Sequence, residues 1–154
     1  MSQRSPRKII ALILAAGASE RSGFPKALAR WEGQSFVRGI ERAMREAGCE
    51  PCFCVVGPPW EEALRTHAPE LNFLSNPRPA RGMLSSLQIG IAKAQALEAE
   101  ALLVALVDHP RVKVSSYRSL LTSWEEEARC LLLRATLRDS TGRKRSGRPY
   151  LLSR

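Results

Sequence analysis

Ile9-Ile-Ala-Leu-Ile-Leu14-Ala-Ala-Gly17-Ala-Ser-Glu-Arg21-Ser-Gly23-Phe-Pro-Lys26 is the stretch that decides how this chain folds. Its first part is an unbroken apolar run, which predicts a strand buried on both faces of a parallel sheet. Its second part is small, then flexible, then cationic. Gly17 lets backbone N–H groups approach a ligand closely, and successive amides in such a turn make an anion-binding concavity. Arg21 and Lys26 add full positive charge where phosphates would lie. Neither common phosphate-loop pattern is met. Gly23 is followed by Phe-Pro-Lys26, so G-x-x-x-x-G-K-[ST] is absent, and so is G-x-G-x-x-G. A plain strand-to-helix turn with chance basic residues is the competing reading.

Outward from this stretch, apolar periodicity alternates strand with helix. Strands are expected at 9–15, 52–56, 71–74, 101–107, 131–136 and 149–152. Helices are expected at 35–47, 60–67, 83–97 and 116–128. On the first helix Phe36, Val37, Ile40, Ala43, Met44 and Ala47 share one face, with Arg38, Glu41, Arg42 and Arg45 opposite. Gly48 ends it. Met83, Leu84, Leu87, Ile91 and Ala94 should face inward on the third helix, and Tyr117, Leu120, Leu121 and Trp124 on the fourth. Residues 76–82 read as a loop and 138–147 as a polar turn region. This order predicts an α/β fold: a three-layer, Rossmann-like, mainly parallel sheet with helices on both faces. Ligands in such sheets sit beyond the carboxyl ends of the strands, near a switch in strand order. The ends of strands 9–15 and 101–107 are therefore the places to search.

Composition narrows the function classes. A chain of 154 residues fits one domain with a real core. No apolar run approaches the roughly 20 residues of a membrane span, and the basic start flows into a core strand rather than a signal peptide. A cytoplasmic location is expected. The net charge of +9 suits anionic ligands. Much of the excess sits at the ends: Arg4, Arg7 and Lys8 at one, Arg138, Arg143, Lys144, Arg145, Arg148 and Arg154 at the other. Solvated ends are the plain reading of these runs. Without interleaved aromatics they do not make a dedicated nucleic-acid binder. Cys49 and Cys52 have C-x-x-C spacing, but a zinc site needs a second close pair, and Cys130, His67 and His109 lie far off in sequence. Cys49, Cys52 and Cys54 read as buried free thiols.

Two further segments carry candidate chemistry. Strand 101–107 ends in Val107-Asp108-His109-Pro110. A carboxylate there suits Mg²⁺, which takes protein carboxylates together with substrate phosphates. An Asp starting a turn before Pro110 is the competing reading. His109 reads as a neighbour of that position rather than a ligand or base. Asn76-Pro77 leads through a loop to Gly82-Met83-Leu84-Ser85-Ser86-Leu87 at a helix start. Free amides and the helix dipole favour anions there, and Ser85 and Ser86 can donate to a phosphate. Simple capping by a small polar pair competes with that reading.

Together these segments resemble the MobA-like nucleotidyltransferases. Leu14, Ala15, Ala16, Gly17, Ser19, Arg21, Gly23 and Lys26 match L-A-A-G-x-S-x-R-M-G-x-x-K, with Ser22 in place of the Met. Asp108 and Pro110 match G-D-x-P, with Val107 for the Gly. The Asn76 segment resembles N-P-x(n)-G-M-x-x-S-L, and Gly147-Arg148-Pro149 resembles G-H-P-V-L-F with Arg148 for the His. The resemblance implies a nucleotide-diphospho-sugar transferase-like fold and transfer of a nucleoside monophosphate from CTP or GTP to a phosphorylated acceptor. A molybdopterin-type cofactor is the expected acceptor and pyrophosphate the second product, with a molybdoenzyme as a possible partner. It implies nucleotide binding by the backbone at Leu14, Ala15, Ala16 and Gly17 and by Asn76, Ser85 and Ser86. Arg21 and Lys26 would hold the phosphates as catalytic cations, and Asp108 would hold Mg²⁺. It also implies a further helix and strand with a second metal-binding Asp, so residues 1–154 are expected to form one C-terminally short domain. A nucleotide-binding relative without transferase activity is the alternative.

Overall fold

The computed structural model describes residues 7–17, 23–126, 132–138 and 144–153. In chain order its strands are β1 (Ile9–Leu14), β2 (Arg30–Trp31), β3 (Gln34–Ser35), β4 (Cys52–Val56), β5 (Asn72–Ser75), β6 (Ala101–Leu106), β7 (Leu132–Arg138) and β8 (Lys144–Ser153). Its α-helices are α1 (Phe36–Glu46), α2 (Glu61–His67), α3 (Met83–Ala96) and α4 (Val114–Glu126).

Every residue of β1, β4 and β6 is buried, as their unbroken apolar sequences require of strands covered on both faces. The main sheet runs β5-β4-β1-β6-β8-β7. Its first four strands are parallel, with β1 paired to β4 from Ala11↔Cys52 and to β6 from Ile9↔Ala101. The chain leaves β1 toward β4 and β5, then returns to the other side of β1 as β6. That reversal puts the switch in strand order between β1 and β6.

Side chains of β1 alternate between two core layers, as a period of two demands. Ile9, Ala11 and Ile13 join Val37, Ile40 and Met44 of α1 and Tyr117, Leu120, Leu121 and Trp124 of α4. Ile10, Leu12 and Leu14 join Phe53, Val55, Leu102, Val104 and α3. Gly90 sets the closeness of α3: a Cβ there would fall 2.1 Å from Leu12 Cδ2.

The α/β sheet flanked by helices is as expected, and four elements correct the sequence reading. Arg138 and residues 144–147, read as polar turn, lie in strands, and β8 is far longer than 149–152; residues 139–143 lie outside the described residues. Both strands belong to a hairpin, with β8 antiparallel to β6 over Tyr150 to Ser153 and to β7 as far as Lys144↔Arg138. The 144–146 part of β8 pairs with β7 alone, so it needs no apolar run and its charges hid it. Met83 and Leu84 do not face inward. They are 48% and 63% exposed because the first turn of α3 overhangs the end of the sheet, and the buried residues of α3 are Ser86, Gly90 and Ala94. Glu41 is buried on α1, where it pairs with Arg45. Burial raises its carboxyl pKa and Arg45 opposes that rise. Finally, β2 and β3 form a small hairpin that apolar periodicity could not reveal. Its turn places both Glu32 (φ 50°) and Gly33 (φ 79°) in the left-handed region, the two-residue geometry that follows strand twist.

Cys49, Cys52 and Cys54 are buried free thiols. Desolvation pushes Cys49 and Cys54 up to about 12. Among the described residues no cluster of three His, Cys, Asp or Glu side chains could hold a metal ion. None of the described helices is long and apolar enough to cross a membrane. Cys130 and both basic termini before Arg7 and after Ser153 lie outside the described residues.

Candidate functional site

The β1–β4 and β1–β6 ladders end at definite bonds. Ala15 N–H donates to Val55 O at 2.9 Å, and Val107 N–H donates to Leu14 O at 3.2 Å. Beyond them no described residue accepts from the N–H groups of Ala16 or Gly17. A cleft of about 370 Å³ opens there, lined by Leu14, Ala15, Ala16 and Gly17 from β1 and by Leu106, Val107 and Asp108 from β6. It lies at the switch in strand order, where parallel α/β sheets hold their ligands.

Lys26 reaches the same cleft from a single 3₁₀ turn, Lys26–Leu28. Pro25 opens that turn: its carbonyl accepts from Leu28 N–H at 2.9 Å, and its fixed φ suits a helical start. Ala27 is buried beneath, which anchors Lys26 at the rim. The Asp108 side chain is half-exposed, with His109 Nε2 3.4 Å from its Oδ1. Among the described residues one cation and one carboxylate line the cavity, with backbone, apolar side chains and the Ser86 hydroxyl making the rest.

Ser86 completes the cleft from α3, beside Gly82 and Met83. Asn76 and Ser85 do not line it. Asn76 is 2% exposed and lies behind the wall. Its Nδ2 donates to Ser85 Oγ and to Ser86 Oγ, each at 2.9 Å, and its Oδ1 accepts from Arg78 N–H at 3.0 Å. Ser85 Oγ in turn donates to Gly82 O at 2.7 Å. Asn76 therefore fixes the start of α3, and through Ser86 the floor of the cleft. Gly57 makes room for this arrangement, since a Cβ there would meet Asn76 O at 2.6 Å. Gly82, with φ 89°, turns the chain into α3. Of the residues singled out in the sequence, Leu14, Ala15, Ala16, Gly17, Lys26, Ser86 and Asp108 come together. Arg21 lies outside the described residues. Sequence reasoning missed the lining roles of Pro25, Pro79 and Met83. Met83 was legible, because a large apolar residue in the overhanging first turn of a helix has no core to enter.

Residues 11–147 match the sequence profile of the MobA-like NTP transferase domain. The chain belongs to that family. Nicotine blue oxidoreductase of Paenarthrobacter nicotinovorans is 32% identical over 117 residues, which are 75% of this chain and 56% of that protein. The MobA-like chain thus spans a little over half the length of this curated relative. Among solved structures, Rv0371c of Mycobacterium tuberculosis H37Rv superposes with a TM-score of 0.78 at 22% identity, covering 98% of this chain and 74% of that one. A complex of Rv0371c with manganese has a TM-score of 0.72 at 20% identity, over 96% of this chain and 71% of that one. A CMP:2-keto-3-deoxy-manno-octonic acid synthetase complexed with CTP has a TM-score of 0.65 at 16% identity, over 84% of this chain and 53% of that one. At these identities the two proteins attest the fold of this MobA-like chain.

Proposed function

We propose that this MobA-like chain transfers a nucleoside monophosphate from CTP or GTP to a phosphorylated acceptor of the molybdopterin type and releases pyrophosphate. The observation that carries this reading is the meeting of the Ala16–Gly17 amides, Lys26 and Asp108 in one cleft at the strand-order switch. Phosphoryl chemistry of this kind asks mainly for positioning and charge neutralisation. The two amide N–H groups donate to the nucleotide, and Lys26 offsets charge growing on the leaving pyrophosphate. Ser86, held by Asn76, adds a hydroxyl donor. Arg21 is assigned to the phosphates on its motif position alone.

Mg²⁺ fits the donor set. Asp108 offers one accessible carboxylate, and Mg²⁺ commonly combines one or two carboxylates with substrate phosphates and water. When bound, the ion neutralises triphosphate charge that Lys26 alone cannot. A second reading is nucleotide binding without transfer, favoured by the single cleft carboxylate among the described residues. The name of the curated relative, an oxidoreductase, adds reason to measure the reaction directly.

Purified protein, given CTP or GTP with Mg²⁺ and molybdopterin, is expected to release one pyrophosphate per dinucleotide formed. Lys26→Ala should weaken triphosphate binding by about 1.5–3 kcal/mol, the range for a charged hydrogen bond. Nucleotide binding with no pyrophosphate would establish the second reading. No saturable binding of either nucleotide would sink both.

A further inference from the structure

On the outer side of α1, away from the cleft, the structure holds a larger groove of about 870 Å³. Its walls come from the β2–β3 hairpin, the first turns of α1, the end of α2 and the 110–114 segment that follows Asp108. Among the described residues Arg30, Arg38, Arg42, Arg111 and Lys113 line it against one acid, Glu32. Arg38 is partly offset, since it binds Glu70 at 2.8 Å and donates to His67 O at 2.7 Å. Among the described residues Arg42 pairs with Glu46 at the long distance of 3.7 Å. The start of α4 at Val114 also opens onto the groove, adding the positive end of a helix of several turns.

Two buried polar atoms of residues that line the groove have no hydrogen-bond partner among the described residues: Ser35 Oγ, on a residue 3% exposed, and His67 Nε2. Buried polar groups are nearly always paired, by protein, water or ligand. Trp31 is half-exposed at the rim, with the Arg111 guanidinium 4.4 Å from its ring centre. A large indole left open to solvent beside cations suits a flat ring carrying negative charge.

We infer that this groove is a second ligand site, separate from the nucleotide cleft, for a small organic phosphate with a planar ring. The phosphate lies among Arg30, Arg42 and Lys113, and the ring rests against Trp31. The inference does not depend on the transfer reaction.

Phenyl phosphate is a suitable probe, followed by two-dimensional NMR of the tryptophan indole N–H signals, with Trp31 assigned by Trp31→Phe. The Trp31 signal should shift saturably, and inorganic phosphate should compete more weakly than phenyl phosphate binds. Arg42→Glu should weaken the probe at least tenfold, and Lys26→Ala not at all. Loss of probe binding in Lys26→Ala would place the probe in the cleft and overturn the inference. So would the absence of saturation, or unchanged affinity in Arg42→Glu. A short single-stranded oligonucleotide displacing the probe at far lower concentration would assign the groove to nucleic acid and overturn it equally.

Discussion

The cleft at the strand-order switch and the basic groove offer donors to an anion in opposite ways. The cleft is built from backbone. Its amides stand where the β1 ladder runs out, and Lys26 and Asp108 are the charged side chains that line it. The groove is built from side chains: its five cations come from the hairpin, α1 and the segment after β6. A strand end delivers its donors in consecutive residues, so a backbone site leaves a compact signature in sequence. A side-chain site assembled by tertiary packing leaves none. The difference predicts that the cleft is sensitive to a few positions, whereas the groove shares its affinity among many.

The largest expected effect is at Asp108. Asp108→Asn keeps shape and removes the charge, so Mg²⁺-stimulated pyrophosphate release should fall on the order of 100-fold, equivalent to about 2.7 kcal/mol of transition-state stabilisation. Phenyl phosphate binding in the groove should not change. Undiminished turnover at saturating Mg²⁺ would remove Asp108 from the metal position. A matching loss in the groove would mean that the two regions are one site.

What could be read from the sequence follows the same division. The unbroken apolar runs of β1, β4 and β6 announced the parallel sheet. The small-then-cationic stretch after β1 and the carboxylate after β6 announced the two ends of the cleft. The hairpin of β2 and β3 stayed hidden because strands of two residues carry no period, and only Glu32-Gly33 hints at a turn. The β7–β8 hairpin stayed hidden because Arg134, Arg138, Lys144 and Arg145 interrupt its apolar pattern. Glu41 read as solvent-facing, since nothing local signals that the β4 side of α1 closes over it. Asn76 read as a nucleotide contact because its motif marks a place near the site, and motif spacing cannot separate a residue that touches a ligand from one that holds its neighbour.

Asn76 tests that distinction with an intermediate effect. Asn76→Ala strands the Ser86 hydroxyl and the Arg78 N–H, both bonded to it here. Leaving such groups unpaired costs about 1–3 kcal/mol of stability, measurable as a lower midpoint in urea. Nucleotide affinity should fall severalfold with it, since Ser86 loses its anchor, while the groove probe binds as before. A full loss of nucleotide binding with unaltered stability would instead make Asn76 a direct contact.

The smallest effect is expected where neither region is touched. Cys49, Cys52 and Cys54 lie in the core layer beneath α1, the helix whose outer face floors the groove. Their burial disfavours the thiolate, and it holds Cys49 and Cys54 near 12 against an ordinary value of 9.0. Below about pH 9 both folded and unfolded thiols keep their protons, so the cysteines impose no pH dependence on stability. As pH rises from 9 toward 12 the unfolded thiols ionise while the folded ones do not. The unfolded state then loses protons first, and stability drops across that window. At pH 8 the native protein should resist alkylation at all three positions, with nucleotide and probe affinities unaltered by the reagent. Rapid modification at pH 8 that weakened the groove alone would show α1 opening independently of the sheet, and would give the groove a flexibility that the cleft, rooted in β1 and β6, does not share.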